Sequence, residues 1–141
     1  MPYLLLLFSL YALPDAYAEE YSLNIIAHVS VPTVKPLSIQ QLRRIYLLQQ
    51  LSWSDDLAVI VINRKSDSVQ REYFEKKINL SPTKYAMYLK KQHYKGIPTP
   101  IIQNSRQAVL AFVEKVPGSI AYIEGLLPDG YEHIKVIGYL K

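Results

Sequence analysis

The sequence predicts a three-layer α/β domain, and three observations predict it. Short β-branched and apolar runs alternate with segments whose apolar residues recur at helical spacing. Serines stand just ahead of several helical segments, where a hydroxyl can accept from an unpaired backbone N–H. Proline and glycine punctuate the joints. Strands separated by helices in this order indicate an α/β layer arrangement.

Before the first strand, Leu4 to Leu13 is an apolar block broken only by Ser9, followed by Pro14 and then Ala16-Tyr17-Ala18. A short apolar block ending in A-x-A is the pattern of a secretory signal peptide. Ten residues are too few to span a bilayer, which needs about 20. Residues 1–18 are thus expected to be a cleaved signal, and 19–141 one domain of 141 − 18 = 123 residues, exported to the periplasm.

Tyr21 to Val31 then reads as a buried strand around His28, which is expected to be a hydrogen-bonded core histidine. Pro32 and Pro36 end it. Ser38 to Gln41 forms a capping-box start, followed by Leu42, Ile45, Tyr46 and Gln49 at helical spacing. A loop, Ser52 to Asp56, leads into a strand over Leu57 to Asn63. A helix follows from about Ser68 to Ile78. Ser81-Pro82 opens the next, with Pro at its first position, and it runs to about Tyr94 ahead of Gly96.

Gly96 to Pro100 reads as a rigid connector. Asn104 or Ser105 caps a helix whose stripe is Val109, Phe112, Val113 and Val116. Pro117-Gly118 ends that helix, Ser119 to Ile123 is a short strand, and Ile134 to Leu140 closes the domain after the Pro128-Asp129-Gly130 turn.

Composition narrows the function. The chain has no cysteine, which excludes disulfides, a lipid-attachment cysteine and a cysteine nucleophile. Its formal charge is +4; residues 1–18 hold Asp15 and no basic residue, so the expected mature form carries 4 + 1 = +5. Positive charge favours anionic ligands, but no basic run with interleaved aromatics marks a nucleic-acid binder. No P-loop, G-x-G-x-x-G or G-x-S-x-G is present, and His28, His93 and His133 lack metal-ligand spacing. The expectation is a protein without enzymatic activity, metal or cofactor, and with no stable membrane insertion after cleavage.

The candidate site is the junction of the apolar strand with the serine-rich helix start, Arg64 to Arg71. A helix N-terminus offers free N–H groups and partial positive charge to an anion. Arg64 adds a planar charged fork, Ser66 and Ser68 add hydroxyls, Gln70 an amide, and Arg71 a further charge. With the backbone N–H groups of Val69 and Gln70, these suit a tetrahedral oxyanion. A second cluster, Tyr85, Tyr88 and Leu89 beside Lys84, Lys90, Lys91 and Lys95, reads either as a helix burying its tyrosines or as a docking surface.

Leu37-Ser38-x-x-Gln41-Leu42-Arg43-Arg44-Ile45-Tyr46, Trp53, Ser68-Val69-Gln70-Arg71-Glu72-Tyr73-Phe74, Gly96-x-Pro98 and Pro117-Gly118-Ser119-Ile120-Ala121-Tyr122-Ile123 occur in that order. The ordered set resembles the substrate-binding proteins of phosphate ABC transporters, in the periplasmic-binding-protein superfamily, and is most similar to their short single-lobe relatives. The resemblance implies one lobe, a mixed sheet flanked by helices, with phosphate held at a helix start. Arg64 matches the family's arginine and Ser68 its serine four positions on. Val69 stands in place of the family's glycine and Gln70 in place of its threonine. Full receptors close two lobes on the ligand; one lobe leaves an anion open to screening water.

Two functions follow from the sequence. One is a periplasmic phosphate or oxyanion-binding protein linked to ABC transport. The other is a degenerate lobe acting as an envelope scaffold or accessory subunit, with an envelope protein or a second copy as partner.

Overall fold

The computed structural model describes residues 21–33 and 35–141; the expected signal segment, 1–18, lies outside them. Eleven elements follow in order: β1 (Leu23–His28), α1 (Ile39–Tyr46), β2 (Ser52–Ser54), β3 (Leu57–Ala58), β4 (Ile60–Asn63), α2 (Val69–Lys77), α3 (Pro82–Tyr94), β5 (Ile101–Ile102), α4 (Arg106–Lys115), β6 (Ser119–Glu124) and β7 (Ile134–Leu140).

The main sheet has the order β5-β4-β6-β1-β7. β4 runs parallel to β5 and β6, whereas β1 is antiparallel to both β6 and β7. The sheet is mixed. Side chains alternate along each strand, so β1 and β6 feed two cores at once. Leu23, Ile25, Ala27, Ile120 and Tyr122 face Leu42, Ile45, Tyr46, Phe74, Ile78 and Tyr85 of the first three helices. Ile26, Ala121 and Ile123 face Val109, Leu110 and Val113 of α4. Burial on both faces explains why these strands are continuous apolar runs, and it gives three layers.

The helix starts are local and follow the sequence. Ser38 and Gln41 make the reciprocal capping box, and the Ser68 and Ser105 hydroxyls accept from Arg71 N and Ala108 N. Three helix ends share another device. After α1, α2 and α3, one residue enters the left-handed region: Leu48 (φ 59), Asn79 (φ 57) and Gly96 (φ 79). Its N–H and the next one then close onto the last turn, as in Gln49 N to Arg44 O at 2.8 Å and Leu80 N to Glu75 O at 2.7 Å. The first of these ends α1 at Tyr46, so Gln49 falls outside the helix.

Three expectations are corrected. The run Leu57 to Asn63 is two strands, because Val59 N bonds to Leu51 O and Ile60 N to Gly118 O, handing the chain from one sheet to the other. The expected loop at Ser52 is strand β2, paired with β3 across Asp55-Asp56. His28 is a half-buried residue at the end of β1 and not a core histidine: its Nδ1 meets Ser30 Oγ at 2.8 Å and its ring stacks 6.0 Å from His133.

Gly118 ties the two sheets together. It has φ 79, and an added Cβ would lie 2.1 Å from Ala58 O. Its carbonyl accepts from Trp53 Nε1 and Ile60 N, and its N–H donates to Ser30 Oγ. A side chain there meets backbone that cannot yield.

Candidate functional site

Parallel pairing brings the carboxyl ends of β4 and β6 side by side, with Ile60 opposite Ser119 and Val61 opposite Ile120. Two residues further on, Asn63 and Arg64 therefore reach Tyr122 and Glu124. Asn63 Oδ1 accepts from the Tyr122 hydroxyl and from Arg64 N at 2.9 Å. The Arg64 guanidinium is almost fully buried, and its Nη1 donates to Glu124 Oε2 at 2.9 Å. Crevices at the carboxyl ends of parallel strands are where α/β sheets place ligands.

The chain then turns through Lys65, Ser66 and Asp67, all exposed, into α2. Ser68 Oγ donates to Lys65 O at 2.7 Å and accepts from Arg71 N at 3.2 Å. The first helical bond is Glu72 N to Ser68 O, so the N–H groups of Val69 and Gln70 precede the intrahelical ladder. The Val69 side chain is 63% exposed and Gln70 is half-buried.

Arg71 points away from this mouth. Its Nε donates to buried Glu75 Oε1 at 2.5 Å, its Nη1 to Arg64 O at 3.1 Å, and its guanidinium lies 5.7 Å from the Tyr85 ring centre. The loop thus brings Arg64, Ser68, Val69 and Gln70 to one helix start, leaves Ser66 in solvent and turns Arg71 inward.

Two donors at the junction stand out. Asn63 Nδ2 and Arg64 Nε are buried and have no hydrogen-bond partner. Buried donors are ordinarily satisfied, and leaving one without a partner costs about 1–3 kcal/mol. Both orphans belong to consecutive residues at the end of β4.

The floor of the junction is aromatic and fully buried. Phe74 stacks on Tyr122 at 4.1 Å, and Tyr46 packs on Phe74 at 4.5 Å. Burial drives the Tyr46 and Tyr122 hydroxyls well above their ordinary pKa, so both stay protonated donors. Tyr46 spends its proton on Ile62 O at 2.8 Å. Near the rim, burial first and the Glu124 carboxylate second raise the Tyr21 hydroxyl, while Arg64 opposes them.

Sequence reasoning missed Asn63, Glu75, Tyr122 and Glu124. Glu75 had a signal, since it lies four residues after Arg71 on one helix. Glu124 had none, because 60 residues separate it from Arg64. A separate apolar pocket of about 240 Å³, lined by Leu48, Leu51, Val59, Val61, Pro98 and Ile101, adjoins the start of β4. The Arg64–Ser68 loop follows the other end of that strand.

No protein-family model and no curated protein matches the chain. Solved structures do match. An ABC-type phosphate transport receptor from Vibrio cholerae has a TM-score of 0.63 at 21% identity, over 83% of this chain and 46% of its own. A putative phosphate ABC transporter substrate-binding protein from Clostridium perfringens, with bound phosphate, has a TM-score of 0.60 at 16% identity, over 85% and 54%. PstS from Borrelia burgdorferi has a TM-score of 0.58 at 18% identity, over 74% and 40%. The chain spans about half the length of these proteins or less. The likeness shows the fold, a single lobe of the periplasmic-binding-protein type. Among the described residues, no helix is long and apolar enough to cross a membrane.

Proposed function

We propose that this lobe binds a phosphate-like oxyanion at the start of α2, in the periplasm. The observation that carries the reading is the pair of orphaned buried donors, Asn63 Nδ2 and Arg64 Nε, on the residues that lead into α2, whose N–H groups at Val69 and Gln70 precede the helical ladder. An oxyanion at this helix start accepts from the N–H groups of Val69 and Gln70 and sits at the positive end of the helix; the two buried donors become available to it once the Arg64 side chain moves. Arg64 and Ser68 occupy the positions that the phosphate-receptor resemblance assigns them. Half-buried Gln70 at the second position of α2 and exposed Ser66 can add an amide and a hydroxyl, and Arg71 holds the Arg64 carbonyl in place.

Entry requires the Arg64 side chain to loosen from Glu124, whose carboxylate competes with the anion. Affinity is therefore modest, and closure on the ligand needs a second wall from another protein or a second copy. The binding reading includes no chemical step and no cofactor.

One observation favours a second reading. Both arginines already have a carboxylate inside the chain, Glu124 for Arg64 and Glu75 for Arg71. A loop so neutralised can serve only to lock β4, β6 and α2 in an accessory or scaffold lobe.

Calorimetric titration of phosphate and sulfate separates the two. Binding predicts saturable heat in the wild type, lost in Arg64→Ala and weakened in Arg64→Lys, which keeps charge but loses the planar fork. Thermal melts establish that each variant is folded. No heat and no thermal shift at millimolar anion in the folded wild type overturns binding and leaves the lock.

A further inference from the structure

Residues 76–113 contain six lysines and one arginine, and no Asp or Glu. Most of that charge is gathered on α3. The helix buries Tyr85 and part of Tyr88, whose hydroxyls donate to Tyr46 O at 2.7 Å and to Leu47 O at 2.5 Å. The tyrosines suspected of docking are therefore anchors of α3 on α1. What remains in solvent is the opposite face. Lys84, Met87, Lys91 and Tyr94 follow each other at three- and four-residue steps, Lys95 lies four residues past Lys91, and Lys90 stands alongside Met87 and Tyr94.

Met87 is 69% and Tyr94 79% exposed, so two large apolar groups stand in water inside a ring of ammonium groups. Met87, Lys90, Lys91, Tyr94 and Lys95 border one shallow depression. The basic surface continues past Lys84, which shares a hollow with Arg43 of α1.

We infer that the exposed face of α3 docks this protein peripherally on a bilayer of anionic phospholipid. Charge complementarity selects a negative partner, and the form of the face selects a diffuse one. Lysines are flexible point charges without the fork that reads a single carboxylate or phosphate. The surface is the convex side of one helix, which suits a plane better than a segment needing a groove. Met87 and Tyr94 are the residue types that sit at the headgroup level, with an apolar body and, for Tyr, a polar tip. Each lysine near an anionic leaflet adds to the attraction, and nothing acidic on α3 opposes it. The face is separate from the Arg64 loop, so this inference does not depend on anion binding there.

The test is co-sedimentation of the full chain with vesicles of phosphatidylcholine alone and of phosphatidylcholine with 30% phosphatidylglycerol, where ~30% marks a composition within the anionic range. Expected is binding to the anionic vesicles only, reversed by about 0.5 M NaCl as the Debye length shrinks. Lys90→Ala/Lys91→Ala should weaken it roughly 30-fold, from a loss of about fivefold per lysine. Met87→Ala/Tyr94→Ala should weaken it at low salt as well, and no effect there would remove the apolar pair from the docking face. Lys35→Ala/Lys115→Ala, which removes equal charge elsewhere, should change little; an equal loss there overturns the assignment to α3. Binding indifferent to salt and to the α3 variants reports the apolar N-terminal run and also overturns it. So does absence of vesicle binding, and salt-sensitive retention on immobilised polyglutamate would then mark an acidic protein as the partner. All substituted positions on α3 are exposed, so thermal melts should match the wild type.

Discussion

α2 and α3 are consecutive helices that both follow a serine and both carry cations, yet they use them in opposite ways. At α2 the serine hydroxyl caps the first turn, and Arg71 is buried against Glu75 and the Arg64 carbonyl. At α3 the Ser81 side chain makes no capping bond, and the lysines stand in solvent. The difference is set by what lies opposite. The start of α2 sits over the joined ends of β4 and β6, where a cation must be matched by a carboxylate; the outer face of α3 is exposed among the described residues. The same residue types become scaffold in one helix and surface in the next.

The largest effect expected from this contrast is at Glu75. Glu75→Ala strands the buried Arg71 charge and should cost about 3–5 kcal/mol, read as a lower midpoint in urea. Lys91→Ala serves as its opposite and should move that midpoint by less than about 0.5 kcal/mol. Equal losses would erase the distinction between the two helices.

Glu124→Gln comes next. Glu124 is partly exposed, so its pairing with Arg64 is screened and the cost falls to about 1–2 kcal/mol. The same change removes the carboxylate that competes with an incoming anion, so phosphate heat should rise in this variant. A fall would mean that Glu124 helps to hold the anion instead.

The two serines give a finer measure. Ser68→Ala should cost about 1 kcal/mol, because Arg71 N loses its acceptor, whereas Ser81→Ala should cost a few tenths at most. A reversal would show that the Ser81 hydroxyl caps in solution.

The smallest effect is on acid stability. Burial, then the neighbouring His133, lowers the His28 pKa from its usual 6.5, with Glu114 opposing. The folded state then holds that proton less tightly than the unfolded chain, so stability is full above pH 6.5 and declines as pH falls through it. Partial desolvation works to raise the Glu114 carboxyl, but hydrogen bonds from the His133 ring and backbone outweigh it and leave it below 4.5. Its contribution is present above pH 4.5 and lost as pH falls further. Melting temperatures from pH 7 to 4 should decline in both windows, and Glu114→Gln should flatten the lower one.

Local features were legible in advance. The Ser38–Gln41 box, a cap near Ser68 and one at Asn104 or Ser105, which the structure assigns to Ser68 and Ser105, Pro82 at the first position of α3 and the apolar runs of β1, β4 and β6 all depend on residues within a few positions of one another. The two-residue strand β5 and the short β2 were not legible, because nothing in two or three residues outweighs their surroundings. His28 misled for the same reason: an apolar neighbourhood in sequence did not mean one in space.

By itself, then, the sequence determined the α/β class, the helix starts and the presence of an arginine–serine loop at the end of a strand. Those rest on backbone hydrogen-bonding geometry and side-chain periodicity, which act over a single turn or pleat. Only the tertiary structure decided that Arg64 meets Glu124, that Asn63 and Arg64 keep unpaired donors, and that α3 turns Tyr85 and Tyr88 in and Tyr94 and its lysines out. Those outcomes follow from the parallel pairing of β4 with β6, which joins residues 60 positions apart, and from the packing of α3 on α1.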